Sequence, residues 1–89
     1  MTVRVIYRAQ FRTAANLAEE VLPLTAGSLL TSLLTEIVRR HPSLEPLLLR
    51  DDGSRREAVL IFVNDFAADD SRPLVTGDVV TLLAPMAGG

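Results

Sequence analysis

Cysteine, tryptophan and lysine are all missing from this chain. Without cysteine there is no disulfide, no zinc–thiolate site and no thiol nucleophile, which suits a reducing compartment. Without lysine, all nine basic residues are arginine. Arginine-favouring codon usage is the simplest account, but one consequence follows in any case: no side chain can receive an isopeptide bond. Long apolar runs are missing too. Nothing approaches the roughly 18 consecutive apolar residues of a membrane helix. The opening MTVRVIYRAQ alternates where a secretory signal would be continuously apolar. The expectation is a soluble, cytoplasmic protein without a membrane partner. Positive charge is in short supply, with a net charge of -2 and an isoelectric point near 5.2. That argues against nucleic acid as a main partner, because phosphate binding needs a basic surface.

What is present is enough for one domain. Eighty-nine residues, 48% of them apolar, can build a single core. Residues 2–8, TVRVIYR, alternate with period two, setting Val3, Val5 and Tyr7 on one face and Arg4, Ile6 and Arg8 on the other. FRTAAN reads as a polar connection, and LAEEVLPL as a second strand stopping at Pro23, so that the two strands form an antiparallel pair. TAGSLLTSLLTEIVRRHP reads as the main helix. Thr25 is its expected N-cap, with the side-chain oxygen near the Ser28 amide. Leu30, Leu33, Leu34, Ile37 and Val38 form one apolar stripe. Arg39, Arg40 and His41 suit the negative end of the dipole, and Pro42 prevents continuation.

SLEPLLLR reads as a short helical turn and DDGSRRE as a charged turn around Asp52-Gly53. AVLIFVN (58–64) reads as a central strand, followed by a turn at Asn64-Asp65. FAADDSRPL is irregular or a short edge strand. After the turn at Thr76-Gly77-Asp78, VVTLLAP (79–85) is the last strand, with Val80 and Leu82 on one face and Val79, Thr81 and Leu83 on the other. The fold class is therefore α+β: a mixed sheet of four or five strands packed on one main helix. A single helix covers one face of the sheet. Ile6, Leu83 and either Leu60 or Phe62 should lie on the other, as partly exposed apolar surface of the kind that docks partners.

No catalytic constellation is visible. His41, the only histidine, has no obvious carboxylate or serine partner nearby in sequence and reads as a helix-end residue. The pairs Asp51-Asp52 and Asp69-Asp70 flank turns without calcium-loop spacing, so no metal site is expected. Gly27, Gly53 and Gly77 stand singly, so there is no phosphate loop. The protein is not expected to be an enzyme by itself or to bind a cofactor.

The remaining feature is the ending APMAGG. Glycine adds nothing to a core and costs the most backbone entropy to hold still. Two of them after a strand suggest an end that another protein holds. The stretch VNDFAADDSRPLVTGDVVTLLAPMAGG resembles the second half of the molybdopterin-synthase small subunit, MoaD, and its ThiS-type relatives. The matching features are Val63-Asn64, Leu74, Gly77-Asp78, Pro85 and the terminal Gly88-Gly89, with VIYRAQFR similar to the first strand of that family. The resemblance implies a β-grasp, ubiquitin-like domain over residues 1–84 and a flexible diglycine tail over 85–89. It implies a sulfur carrier: an E1-like activating enzyme adenylates the Gly89 carboxylate with ATP, and a sulfur donor then leaves a thiocarboxylate. Gly88 and Gly89 carry that chemistry, since a side chain on either would obstruct a narrow passage into the partner's site.

Leu83 is the first expected partner anchor, with Ile6 and Phe62 behind it, Arg8 facing acidic groups, and Pro85 and Met86 as partner contacts at the start of the tail. The acceptor implied is the molybdopterin-synthase large subunit, because the spacing from Val63-Asn64 to the end fits MoaD without insertion. Carriers serving cysteine, thiamine or secondary-metabolite synthesis remain alternatives, as do a ubiquitin-like protein modifier and a plain binding module. The departure from the family is Leu82-Leu83-Ala84-Pro85, where relatives are often aromatic before a Pro-Pro step.

Overall fold

The alternation of TVRVIYR becomes β1, Thr2–Tyr7, in a computed structural model that describes residues 1–84. Val3, Val5 and Tyr7 are buried, whereas Arg4 points to solvent and Ile6 is half-buried. The elements that follow are α1 (Gln10–Ala15), β2 (Glu19–Pro23) and α2 (Leu30–Arg40). A 3-10 turn at Pro42–Leu44 leads into α3 (Glu45–Leu48), and then come β3 (Leu60–Val63), β4 (Phe66–Ala67) and β5 (Val79–Leu83). The five strands lie in the order β2-β1-β5-β3-β4. β1 and β5 pair in parallel, with Val5 beside Val80 and Tyr7 beside Leu82, and the other neighbours are antiparallel. This is the β-grasp arrangement, with α2 across one face. Its stripe of Leu30, Leu33, Leu34 and Ile37 is buried against Val3, Val5, Ile61, Val63, Val80 and Leu82.

Two local expectations need correction. FRTAAN is not a plain connection but α1, because Phe11 is fully buried and pulls the segment onto the core. A short helix lets the chain turn while meeting its own backbone hydrogen bonds. The main helix starts five residues later than Thr25, and Thr25 does not cap it with its side chain. Instead the Thr25 carbonyl accepts from the Ser28 amide (3.1 Å) and hydroxyl (2.6 Å), closing a turn with Gly27 at φ 86°. The first amides of α2 are satisfied from a distant loop: Leu30 N–H donates to the Arg72 carbonyl (2.9 Å) and Thr31 N–H to that of Asp70 (3.1 Å). Four amides at a helix start need acceptors, and here tertiary structure supplies two of them. At the other end, Arg39 and Arg40 both hold Glu36, at 2.6 and 2.8 Å, which lowers its carboxyl pKa to about 2.

His41 does have a carboxylate partner, which β2 brings to it. The Tyr7 hydroxyl and His41 Nε2 both donate to Glu20 Oε2, each at 2.5 Å. The Tyr7 and His41 rings meet edge-on, with centroids 5.8 Å apart. This cluster ties β1, β2 and the C-terminal end of α2 together. One residue of each acidic pair closes a turn. Asp52 accepts from Ser54, and Asp69 from Ser71, each through amide and hydroxyl.

Burial and the Glu20 hydrogen bond push the Tyr7 phenol well above its ordinary value. A raised acid pKa means that the fold favours the neutral form. The contribution is complete below about pH 10, the value in the unfolded chain, and is lost as pH rises above it. Tyr7 is the only tyrosine, so phenolate absorbance reports one site. It should appear together with the loss of helical circular dichroism; titration of Tyr7 in a still-folded protein would contradict this. A second prediction concerns Ala9, held at φ 53°, ψ -123°, a region natural to glycine. Ala9→Gly should raise stability by about 1 kcal/mol in urea unfolding, because strain relief outweighs the added freedom of the unfolded chain.

Candidate docking face

α2 covers one side of the sheet, so the outward residues of the other side form a surface of their own. Strand register fixes its rows. Arg4 lies between Val21 and Val79; Ile6 lies beside Thr81, which lies beside Phe62; Leu83 lies beside Leu60. The sequence left Leu60 and Phe62 as alternatives, and the register places both here, since they are two residues apart on β3. Ile6, Phe62 and Leu83 are half-buried, and Leu60 keeps 43% of its surface exposed. Arg8 follows β1, its amide bonded to the Leu82 carbonyl at 3.1 Å, and its side chain is exposed. Arg8, Phe62, Asp65, Thr81 and Leu83 line one shallow depression of about 260 Å³.

The face thus gathers four of the expected partner residues: Leu83, Ile6, Phe62 and Arg8. The others, Pro85, Met86, Gly88 and Gly89, lie outside the described residues. Three further residues belong to the face, of which the sequence reading had placed only Thr81 there. Val21 is 59% exposed on the edge strand and extends the apolar surface past Arg4. Thr81 occupies the centre, and Asp65 the rim. The period-two parity of β5 already put Thr81 beside Leu83; Asp65 required the turn geometry.

Electrostatically the face is mixed. Arg4 approaches Glu19 only at 4.0 Å, and both side chains are about half exposed, so the pair contributes little. Among the described residues Arg8 has no carboxylate within salt-bridge distance. No group of three or more histidine, aspartate or glutamate residues is placed to hold a metal ion among the described residues. None of the described helices is long and apolar enough to cross a membrane.

β5 carries the face towards the chain's C-terminal residues, and its start is pinned by two of the motif residues. Asn64 Nδ2 donates to Asp78 Oδ1 at 2.8 Å, the Val75 amide donates to Asp78 Oδ2 at 2.9 Å, and the Val79 amide donates to Asn64 Oδ1 at 2.9 Å. Asn64 at φ 52° and Asp65 at φ 73° make the tight turn after β3. Val63-Asn64 and Gly77-Asp78 are therefore structural partners that fix where β5 begins. At its other end Ala84 is only 8% exposed, so the last described residue is still part of the packed body.

A mixed sheet in this order, with one main helix across one face and the other face left open, defines the class of ubiquitin-like β-grasp proteins. Within that class the chain belongs to the ThiS family, whose model matches residues 5–89. The molybdopterin synthase sulfur carrier subunit of Chlamydomonas reinhardtii is 27% identical over 90 residues, spanning the whole of both chains. A structure solved as molybdopterin converting factor subunit 1 from Pyrococcus furiosus is 30% identical, with a TM-score of 0.81 over 97% of this chain and 99% of that one. The SAMP1 structure from Haloferax volcanii superimposes with a TM-score of 0.95 over the full length of both chains, at 22% identity.

The two sides of β5 should respond differently to truncation. Leu82→Ala, on the buried side, should cost 2–5 kcal/mol, as roughly expected for a core leucine. Leu83→Ala, on the open side, should cost less than about 1 kcal/mol. Urea unfolding of both variants checks this, and equal costs would mean that the open face is not open.

Proposed function

We propose that the chain is a sulfur carrier whose C-terminal Gly89 is loaded as a thiocarboxylate and then surrendered to an acceptor enzyme. Membership of the ThiS family supports the reading. The observation that carries it is the position of β5: a central strand whose outward side chains sit on the open face and whose chain continues directly into Pro85–Gly89. Those five residues reach at most roughly 16–18 Å when extended, so an enzyme acting on Gly89 must stand against the body close to Leu83. The open face is the apolar surface available there.

The chemistry follows from the carboxylate. Its negative charge repels nucleophiles, so it must first be activated. The Gly89 carboxylate oxygen attacks the α-phosphate of ATP, forming the acyl-adenylate and releasing pyrophosphate. A sulfide-level donor then adds to the carbonyl and expels AMP, leaving the thiocarboxylate and a proton. The acyl-adenylate hydrolyses readily, so both steps need a site closed to water. An E1-like adenylating enzyme would supply that site and bind the ATP. Side-chain-free Gly88 and Gly89 suit a narrow passage into it. Leu83, Ile6 and Phe62 would anchor the body outside, Arg8 would face the partner's acidic groups, and Pro85 and Met86 would lie at the mouth of the passage.

The acceptor we favour is the large subunit of a molybdopterin synthase, because two full-length relatives carry molybdopterin in their names. Incubation with the adenylating enzyme, ATP and sulfide should change the intact mass by one oxygen-for-sulfur exchange at Gly89. Deleting Gly89 should abolish the change while leaving the urea midpoint unaltered, because glycine has no side chain to contribute to a core. An unchanged mass in the wild-type protein would overturn the carrier reading. Stable assembly with an acceptor from cysteine or thiamine synthesis, in place of the molybdopterin subunit, would overturn the choice of client.

A further inference from the structure

The centre of the open face is not apolar. Thr81 is flanked across the strands by Ile6 and Phe62, and along its own strand by Val79 and Leu83. It is half-buried and lines the depression between Arg8 and Asp65. Its hydroxyl makes no hydrogen bond to any other described residue, like those of Thr2, Thr25 and Thr31 and unlike those of Thr13, Thr35 and Thr76, but it alone of these sits among the apolar side chains at the centre of the open face. In the free protein, water reaches the half-exposed hydroxyl and satisfies it. Once a partner covers the surrounding apolar side chains, that water is expelled. A hydroxyl left without a partner then opposes association, whereas one met by a donor or acceptor costs nothing comparable.

We propose that Thr81 is the specificity-determining residue of this face, selecting an enzyme whose apolar docking surface carries one hydrogen-bonding group seated in the depression opposite the hydroxyl. The inference rests on the carrier reading and deepens it. The occupant is the adenylating enzyme, because catalysis at Gly89 requires it within tail's length of Leu83. A smooth apolar surface, which would suit Leu83 and Phe62 equally well, is rejected because it strands the hydroxyl. Discrimination of this kind is large, since a buried polar group without a partner weighs more than a missing methylene. Thr81 lies in the body of the sheet and acts on recognition rather than on the reacting carbonyl. Its effect should therefore fall on binding and not on turnover.

The test uses the full chain with the adenylating enzyme from the same organism, measured by carrier-dependent ATP–pyrophosphate exchange. Thr81→Val keeps the shape and the β-branch and removes only the hydrogen-bonding group; Thr81→Ser keeps the hydroxyl. Circular dichroism and the urea midpoint verify that both fold. T81V should raise the KM for the carrier by about tenfold or more with kcat unchanged, and T81S should stay within about threefold of wild type. A T81V KM within twofold of wild type overturns the proposal, as does an equal rise for T81S, which would assign the effect to the methyl group. If wild type supports no exchange at all, the carrier reading fails with it; if wild type does and T81V matches it, only the role of Thr81 fails.

Discussion

The parallel pairing of β1 with β5 is the constraint on which the rest depends. It sets the first strand and the last side by side in the middle of the sheet, with Val3, Val5 and Tyr7 facing the core beside Val80 and Leu82. Parallel strands cannot be joined by a tight turn, so the chain between them must travel. In this protein it uses that length to make α2, the main helix covering the core face, with Phe11 of α1 and Leu44 and Leu48 beyond α2 completing the cover. The same pairing sends the chain out of the sheet from a central strand rather than an edge. Residues on both sides of β5 then contribute to the outward surface: Ile6 and Arg8 from one neighbour, Leu60 and Phe62 from the other.

Much of this was legible in the sequence because it rests on local periodicity. The parity of TVRVIYR and VVTLLAP divided inward from outward side chains correctly, and the leucine stripe of residues 30–38 located the helix. What escaped depends on contacts between distant residues. No local signal could show that Asp70 and Arg72 carbonyls would cap α2, so the helix start was placed too early, at Thr25. Phe11 alone is too little apolar signal to reveal a six-residue helix. Glu20 and His41 are 21 residues apart, and only the β1–β2 pairing brings the carboxylate over the end of the helix. The docking face was half legible. Parity named Ile6 and Leu83, and it also sets Leu60 and Phe62 on one face together, so offering them as alternatives was the error; the β3–β5 register fixes that face as the open one.

The motif residues divide into two kinds of work. Asn64 and Asp78 bond to each other and to the amides around the start of β5, so their resemblance to the family reflects folding. They set the register that puts Leu83, rather than Leu82, on the open side. A one-residue slip would reverse that and bury the face in place of the core. The glycines of the ending have the opposite character, since glycine contributes no side chain to packing and its use lies in where the backbone can go. A reading of function from sequence similarity alone would weigh the two kinds equally. The hydrogen bonds separate them.

On the proposed route the carrier visits at least two enzymes and must leave each. Ordering five tail residues in a partner's passage costs roughly 5–10 kcal/mol of backbone entropy. At about 25 cal/mol per Å², the first 200–400 Å² of apolar surface buried by the open face merely offsets that cost. A face of this size, with a shallow depression and mixed charge, therefore leaves only a modest net affinity after the further cost of association. A much larger apolar face would hold the first enzyme too long and would expose the free carrier to aggregation. A polar centre such as Thr81 resolves the conflict in one direction. It adds discrimination between partners without adding apolar area, so selectivity can rise while residence remains short. The weakness of the surface is then a requirement of the shuttle rather than a defect of the fold.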